Sequence, residues 1–318
     1  MTRIYGGKTA AKVYRRQLID LVEEPEYVVQ VRGRLTREIL NVVTEIGDPR
    51  ARCQIVPGRK LNPWLALSEC LWLLAGRNDT ESLLPYNKRI LEFSDDGVSM
   101  YGAYGDRMYM QIPHLIKRLE DEVTDRRAVL TIWGAEDLVA ETKDPPCNTQ
   151  VMFKLRGKQL HMSVINRSND LHWGLHAVNL FQFGVLQEYI ACRLGVQMGT
   201  QTHFSNSLHI YTDERAQAIT RQMMKNMDTP IGEMGPGDWL FPNPFPSELT
   251  HDIFASLCGE VLGGNFRTDH SLPFLEFATD FLALYREPEV FSFKNIRHQD
   301  RYRGWMMMGI EFNSRLFS

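Results

Sequence analysis

The sequence predicts one α/β domain, and three observations carry that expectation. Residues 149–155 and 159–164 alternate apolar and polar side chains on either side of Arg156-Gly157-Lys158, the pattern of a β-hairpin. Helix-period runs at residues 12–22, 64–76, 112–122, 176–195 and 273–285 are interspersed with the strand-like runs. No internal repeat or low-complexity linker divides the chain, so a single domain over residues 1–318 is expected.

Composition narrows the function. Hydrophobic residues at 43% and charged residues at 24% belong to a globular chain long enough to bury a sizeable core. A net charge of −3 exerts no overall pull toward nucleic acid or anionic membrane, so phosphate binding must come from a few placed arginines. Cys53, Cys70, Cys147, Cys192 and Cys258 are widely spaced and form no CxxC pair, which argues for reduced thiols rather than a disulfide framework or a metal site. No signal-like apolar core and no run of about eighteen apolar residues occurs. A cytoplasmic protein with neither membrane nor nucleic-acid partner is expected.

Taken in order, residues 1–30 give short alternating segments around one helix and little about function. In Val31-Arg32-Gly33-Arg34-Leu35-Thr36-Arg37, three arginines surround a glycine, which reads either as a solvated basic turn or as a phosphate-gripping loop. Asn62-Pro63 starts the next helix with a capping side chain and a proline in the first turn. That helix is apolar nearly all round except for Glu69. Such a carboxylate either touches solvent at a rim or is buried, protonated and used in proton transfer. Ser94-Asp95-Asp96-Gly97 is a turn, and Met100-Tyr101-Gly102-Ala103-Tyr104-Gly105 is a loop able to line a pocket with phenol groups. Arg126 and Arg127 precede the β-rich run 128–133, as surface charge or as phosphate ligands on this subunit or a neighbour.

The centre of the chain is the most informative part. Cys147 follows Pro145-Pro146, and the hairpin brings Arg167-Ser168 back to the same end of the adjacent strand. In that position a guanidinium lowers a thiol pKa and holds an anionic substrate over the thiolate, whereas a lone core cysteine is inert. Asn179, near the start of the 176–195 helix, offers a donor and an acceptor able to read a pyrimidine edge. The extended run 197–211 ends in His209-Ile210-Tyr211, with His209 and Tyr211 on one face. Residues 232–246, rich in Gly and Pro, read as ordered loop.

These blocks, in this order, resemble the thymidylate synthase family: Pro-Cys at 146–147, Arg-Ser-x-Asp at 167–170, Gly174, Asn179 and His-x-Tyr at 209–211. The similarity covers residues 32–211, and the last hundred residues match poorly. It implies a mixed, mainly antiparallel sheet with flanking helices, packed sheet to sheet in a homodimer. It also implies that Cys147 attacks C6 of a pyrimidine nucleoside monophosphate and makes C5 nucleophilic. Glu69 would manage protons at O4 or N4, with Tyr101 in the same water network and Asn148 beside the nucleophile. Arg167 and Ser168 would bind phosphate, joined by Arg32 or Arg34 as the mobile phosphate arginine. Arg126 and Arg127 would reach into the partner's site. His209 and Tyr211 would hold the sugar, Asp170 the folate pterin, and 5,10-methylenetetrahydrofolate would donate the one-carbon unit.

Several positions depart from that family. Asn148 replaces the usual His after the nucleophile. Asn179 aligns only with a one-residue insertion after Gly174, which leaves His176-Ala177-Val178 altered beside the sugar and base and Ala177 as possible space for a 2′-hydroxyl. The base and the sugar therefore stay open. Residues 87–93 lack the tryptophan that shields the exocyclic methylene intermediate, and residues 311–318 do not resemble the site-closing tail. Exclusion of water decides whether that intermediate takes hydride or water. The expectation is thus C5 hydroxymethylation of CMP, dCMP or dUMP, with thymidylate synthesis from dUMP as the alternative. A non-catalytic nucleotide-binding relative is argued against by the presence of both Cys147 and Glu69. A Cys-His hydrolase using His203 or His209 would give the Arg-Ser clamp no role.

Overall fold

The computed structural model describes residues 2–52, 56, 58–229, 245, 249–266, 272–297 and 303–313. Its strands are β1 (Arg3–Gly7), β2 (Tyr27–Val31), β3 (Arg34–Ile46), β4 (Val129–Thr131), β5 (Asn148–Arg156), β6 (Gln159–Asn166), β7 (Asn169–Asp170) and β8 (Gln197–Tyr211). They form one sheet in the order β1-β3-β8-β6-β5-β4, with β2 also on β3 and β7 also on β8. The β2–β3, β3–β8, β4–β5 and β5–β6 pairs are antiparallel, while β1–β3, β6–β8 and β7–β8 are parallel. The sheet is therefore mixed, with the long β3–β8 and β5–β6 ladders antiparallel. At the β5–β6 turn, Gly157 (φ 56°) and Lys158 (φ 63°) are both left-handed, the two-residue geometry that matches strand twist.

The helices are α1 (Ala10–Glu23), α2 (Pro63–Leu74), α3 (Ile90–Phe93), α4 (Tyr104–Met108), α5 (Gln111–Asp121), a π-helix (Leu171–Asn179), α6 (Leu180–Arg193), α7 (Glu214–Lys225), α8 (His251–Leu262), α9 (Pro273–Arg286) and α10 (Arg303–Phe312). The start of α2 follows its sequence signal: Asn62 Oδ1 accepts from Trp64 N and Leu65 N, both at 3.1 Å, and Pro63 is the first helical residue. Every residue of α2 is buried, because α6, α8, α9 and α10 pack around it. The parallel step from β6 to β8 needs a crossover, and the π-helix and α6 supply it.

Alternation along the strands divides the sheet into two faces. Val151, Phe153, Leu160, Met162 and Val164 enter the main core with Phe181, Phe183 and Leu186 of α6. A second cluster joins α1 to Ile39, Val42, Leu208 and Ile210 of the sheet and to Leu171 and Leu175 of the π-helix. Burying each such side chain contributes about 1.5–3 kcal/mol. Met152, Ser163, Ile165, Thr202 and Phe204 point the other way and are only half-buried.

Two elements differ from the sequence expectation. The 128–133 run forms only the short β4. The helix expected over 176–195 begins at Leu171, and its first nine residues are wound as π-helix before α6 continues. The one-residue insertion expected after Gly174 falls within this π-helix, whose turns hold one more residue than α-turns. Of residues 232–246 only Phe245 is described, and residues 314–318 of the C-terminal segment lie outside the described residues. No described helix is long and apolar enough to cross a membrane.

Candidate active site

Cys147 sits just before β5, and Arg167 just after β6 is fastened to it. The Arg167 amide donates to Cys147 O at 3.0 Å. Its guanidinium donates to Pro146 O and Pro145 O, both at 2.9 Å, and Nη2 lies 3.9 Å from Cys147 Sγ. The guanidinium lies over the Trp133 ring, its carbon 5.3 Å from the centroid. The two prolines thus present carbonyls that aim the arginine. Burial pushes the Cys147 thiol above its ordinary pKa, while Arg167 and Arg32 pull against that and Asp144 adds to it. The expected lowering by the guanidinium is present, but desolvation outweighs it. Asp144 is itself pushed up to about 6 by burial.

Glu69 is buried on α2 rather than at a solvent rim. Burial raises its carboxyl to about 8, against a hydrogen bond with Gln182 that acts the other way. Oε2 has no hydrogen-bond partner among the described residues. At neutral pH this is a protonated acid with an unsatisfied atom, suited to proton transfer once substrate arrives.

The tyrosine beside Cys147 is Tyr104. Tyr101 is exposed, with its ring under the Arg107 guanidinium at 4.9 Å and its hydroxyl interacting with Asp137. Tyr104 stacks on Phe183 at 5.8 Å, and its hydroxyl, raised by burial, interacts with the Asn148 side chain and the Cys147 backbone. The two Tyr-Gly dipeptides lie three residues apart and look alike in sequence. Only the packing of α4 against α2 tells them apart.

Arg32 and Gly33 form the tip of the β2–β3 hairpin, both with positive φ (48° and 77°). Arg34 is occupied: it bonds Asp213 through Nε at 3.0 Å and through Nη2, and its guanidinium covers the Tyr211 ring at 3.5 Å. Arg32 forms no ion pair among the described residues, and its charge acts on both Cys147 and Tyr211. Ser168 is half-buried next to Arg167. Arg126 and Arg127 lie at the other end of β5: Lys154 Nζ donates to Arg126 O at 3.1 Å, and Arg127 is bound by Asp125 with its side chain 72% exposed. Seven residues of strand separate Lys154 from Cys147, about 23 Å.

His209 and Tyr211 meet edge to face at 5.2 Å, on one side of β8 as expected. Glu38, the β3 residue opposite His209, accepts from Ser207 Oγ, which lies 3.3 Å from His209 Nδ1. Ser207 donates to Glu38, so it receives the Nδ1 hydrogen and leaves His209 Nε2 as an acceptor; burial, which lowers the pKa of His209, keeps the ring neutral. Glu38 and Ser207 carried no signal in the sequence, because their partnership exists only through strand register.

The π-helix sorts the altered segment. His176 is fully buried against α1, with Nε2 2.8 Å from Gln17 Oε1. Ala177 is half-buried. Asn179 comes to Asn148, whose Nδ2 donates to Asn179 Oδ1 at 3.2 Å. Asp170 caps the π-helix, Oδ1 accepting from Trp173 N at 2.7 Å, while Oδ2 has no hydrogen bond among the described residues and the Trp173 indole is 45% exposed. His203, the alternative base of a hydrolase, is buried beside Gln201 and Phe183 and lowered to about 3 by burial.

Comparison with known proteins finds related sequences and a similar fold. Residues 13–234 match the family model described as thymidylate synthase. The chain is 35% identical over 273 residues to the deoxyuridylate hydroxymethyltransferase of Bacillus phage SP01, covering 78% of this chain and 71% of that protein. It is 40% identical over 179 residues to the deoxyuridylate hydroxymethyltransferase of Pseudomonas phage M6, covering 54% of this chain and 51%, about half, of that one. To a thymidylate synthase of Symbiobacterium thermophilum it is 31% identical over 178 residues, 49% of this chain and 62% of the relative. The fold is similar to that of thermostable thymidylate synthase A from Bacillus subtilis, with a TM-score of 0.58 and 22% identity over 71% of this chain and 86% of that one.

Proposed function

Because the chain belongs to the thymidylate synthase family of folate-dependent one-carbon transferases, we propose that it hydroxymethylates C5 of deoxyuridylate. The observation that favours hydroxymethyl over methyl is segment 87–93. It holds no tryptophan to shield the carbon added at C5, and its large apolar residues Leu91 (43%) and Phe93 (39%) lie exposed rather than packed over a site. The two relatives described as deoxyuridylate hydroxymethyltransferases support the same product.

Cys147 Sγ bonds to C6, and the C5–C6 π electrons move toward C5 and O4. Glu69, protonated at neutral pH, donates toward O4 as charge gathers there. Arg167, fixed by the two proline carbonyls, binds the 5′-phosphate with Ser168 and steadies the thiolate; Arg32 closes over the phosphate from the hairpin. His209 Nε2 accepts from a sugar hydroxyl and Tyr211 adds a phenol beside it. Once C5 carries the new carbon its hydrogen leaves as a proton, water supplies the hydroxyl, and expulsion of the Cys147 thiolate from C6 restores the ring double bond.

The residues present fit 5,10-methylenetetrahydrofolate at the rim. Asp170 Oδ2 is an acceptor awaiting an N–H edge, and the exposed Trp173 indole beside it offers a ring face. When bound, the folate supplies one carbon at the oxidation level of formaldehyde. A homodimer packed through the half-buried sheet face would bring Arg126 and Arg127, which lie at the far end of β5 from their own Cys147, to the partner's phosphate site.

Mass spectrometry after incubation with 5,10-methylenetetrahydrofolate and, separately, dUMP, dCMP, UMP or CMP tests the reading. A gain of about 30 Da on dUMP is expected, whereas about 14 Da with dihydrofolate as coproduct would mean thymidylate synthesis and a shielded C5 carbon.

A further inference from the structure

Asn179 is held at both ends of its amide. Its Oδ1 accepts from Asn148 Nδ2 at 3.2 Å, and its Nδ2 donates to Asn169 Oδ1 at 3.1 Å. Asn169 Nδ2 in turn donates to Ser205 Oγ at 3.0 Å. All four side chains are buried, and they come from β5, the end of the π-helix, β7 and β8. Gly174 makes room for the link, since a Cβ there would stand 2.8 Å from Asn169 Oδ1. The result is a directional chain from Asn148 through Asn179 and Asn169 to Ser205.

Direction matters to a reader of pyrimidines. A 4-keto ring offers an N3–H donor beside an O4 acceptor, and a 4-amino ring offers the reverse pair. A free asparagine amide serves either ring by turning over. Asn179 retains one lone pair and one N–H beyond its contacts with Asn148 and Asn169. Turning it alone would set nitrogen against Asn148 nitrogen and oxygen against Asn169 oxygen, losing two buried hydrogen bonds. To turn without that loss, three amides and the Ser205 hydroxyl must turn together.

We propose that Asn148 and Asn169, with Ser205 as anchor, are positioning residues that hold the Asn179 amide in one sense and make the site select one pyrimidine edge over the other. This rests on the nucleotide reading above, with the 4-keto edge of dUMP as the one taken. The chain extends base recognition to Asn169 and Ser205, neither of which needs to touch the nucleotide.

Equilibrium binding of dUMP and of dCMP, without folate, tests it. The wild-type protein should bind dUMP at least tenfold more tightly than dCMP. Asn169→Ala should shrink that ratio at least fivefold, Ser205→Ala should shrink it less, and Asn169→Asp, which keeps the acceptor facing Asn179, should hold it within twofold. A purely structural role would weaken both nucleotides together and leave the ratio unchanged in Asn169→Ala, which would overturn the proposal, as would equal wild-type affinities. Selective binding that responds to Asn169→Ala in a protein that makes no product from dUMP would support the amide chain and overturn the hydroxymethylase reading. Failure of the wild-type protein to bind either nucleotide would overturn both.

Discussion

Arg167 and Arg32 both act on the Cys147 thiol, yet one is fastened at several points and the other forms no ion pair among the described residues. Arg167 leaves the end of β6 with its backbone on Cys147 and its guanidinium on two proline carbonyls. Arg32 sits at the tip of the exposed β2–β3 hairpin, in its left-handed turn. An arginine already ordered loses little entropy when the phosphate arrives, whereas a free one must be ordered by it. On the proposed reading, the sheet interior would supply a preformed anion site beside Cys147, and the hairpin would supply closure. Arg34, two residues from Arg32, shows how a small shift in register changes the role: it is already spent on Asp213 and Tyr211.

Substitutions can break this contrast, beginning inside the sheet. Cys147→Ser should lower turnover by roughly a thousandfold or more while dUMP affinity stays within a few-fold, measured by single-turnover kinetics and calorimetry. A serine variant with near-normal turnover would remove the covalent step. Glu69→Gln should cost roughly 10²–10³ in kcat.

Glu69→Gln should also change the pH dependence of stability. In the fold the Glu69 carboxyl remains protonated up to about 8, while in the unfolded chain it ionises in the ordinary carboxylate range. Its contribution is therefore full below that range and is lost as pH rises toward 8. The glutamine variant should gain on the wild-type protein by about 1.4 kcal/mol per pH unit between pH 5 and 8, read from urea unfolding at both ends.

Arg167→Ala should reduce kcat/KM on dUMP by roughly a hundredfold. It should also slow iodoacetamide labelling of Cys147 at a fixed pH, because removing the cation that opposes burial raises the thiol pKa further. Faster labelling would mean that the guanidinium shields the sulfur more than it activates it. On the hairpin, Arg32→Ala should raise KM about tenfold with a milder change in kcat, an effect that fades at high salt. Arg34→Ala should do less, roughly threefold or under, and a larger loss there than at Arg32 would invert the assignment of the two residues.

Much of the site was legible where neighbours along the chain are also neighbours in space. The β5–β6 hairpin is local, so period-two alternation and the Gly157-Lys158 turn sufficed to place Arg167 against Cys147. Glu69 stood out because a helix apolar on every side leaves a carboxylate no route to water. Tyr101 and Tyr104 could not be separated, since their different surroundings come from α2 and β5, far away in sequence. The π-helix left a one-residue trace in the alignment of Asn179, but which residues would turn inward depended on α1 receiving His176.

By itself the sequence determined where several strands and helices lie and which side chains are candidates for chemistry, because periodicity, capping and turn residues act over a few positions. The tertiary structure decided the electrical state and company of those side chains. The Cys147 thiol lies above its ordinary pKa because burial outweighs Arg167, a balance that no spacing of residues encodes. The amide chain from Asn148 to Ser205 joins four elements across 58 positions of sequence, and hydrogen bonds of that span exist only once register and packing have brought their ends within 3.2 Å.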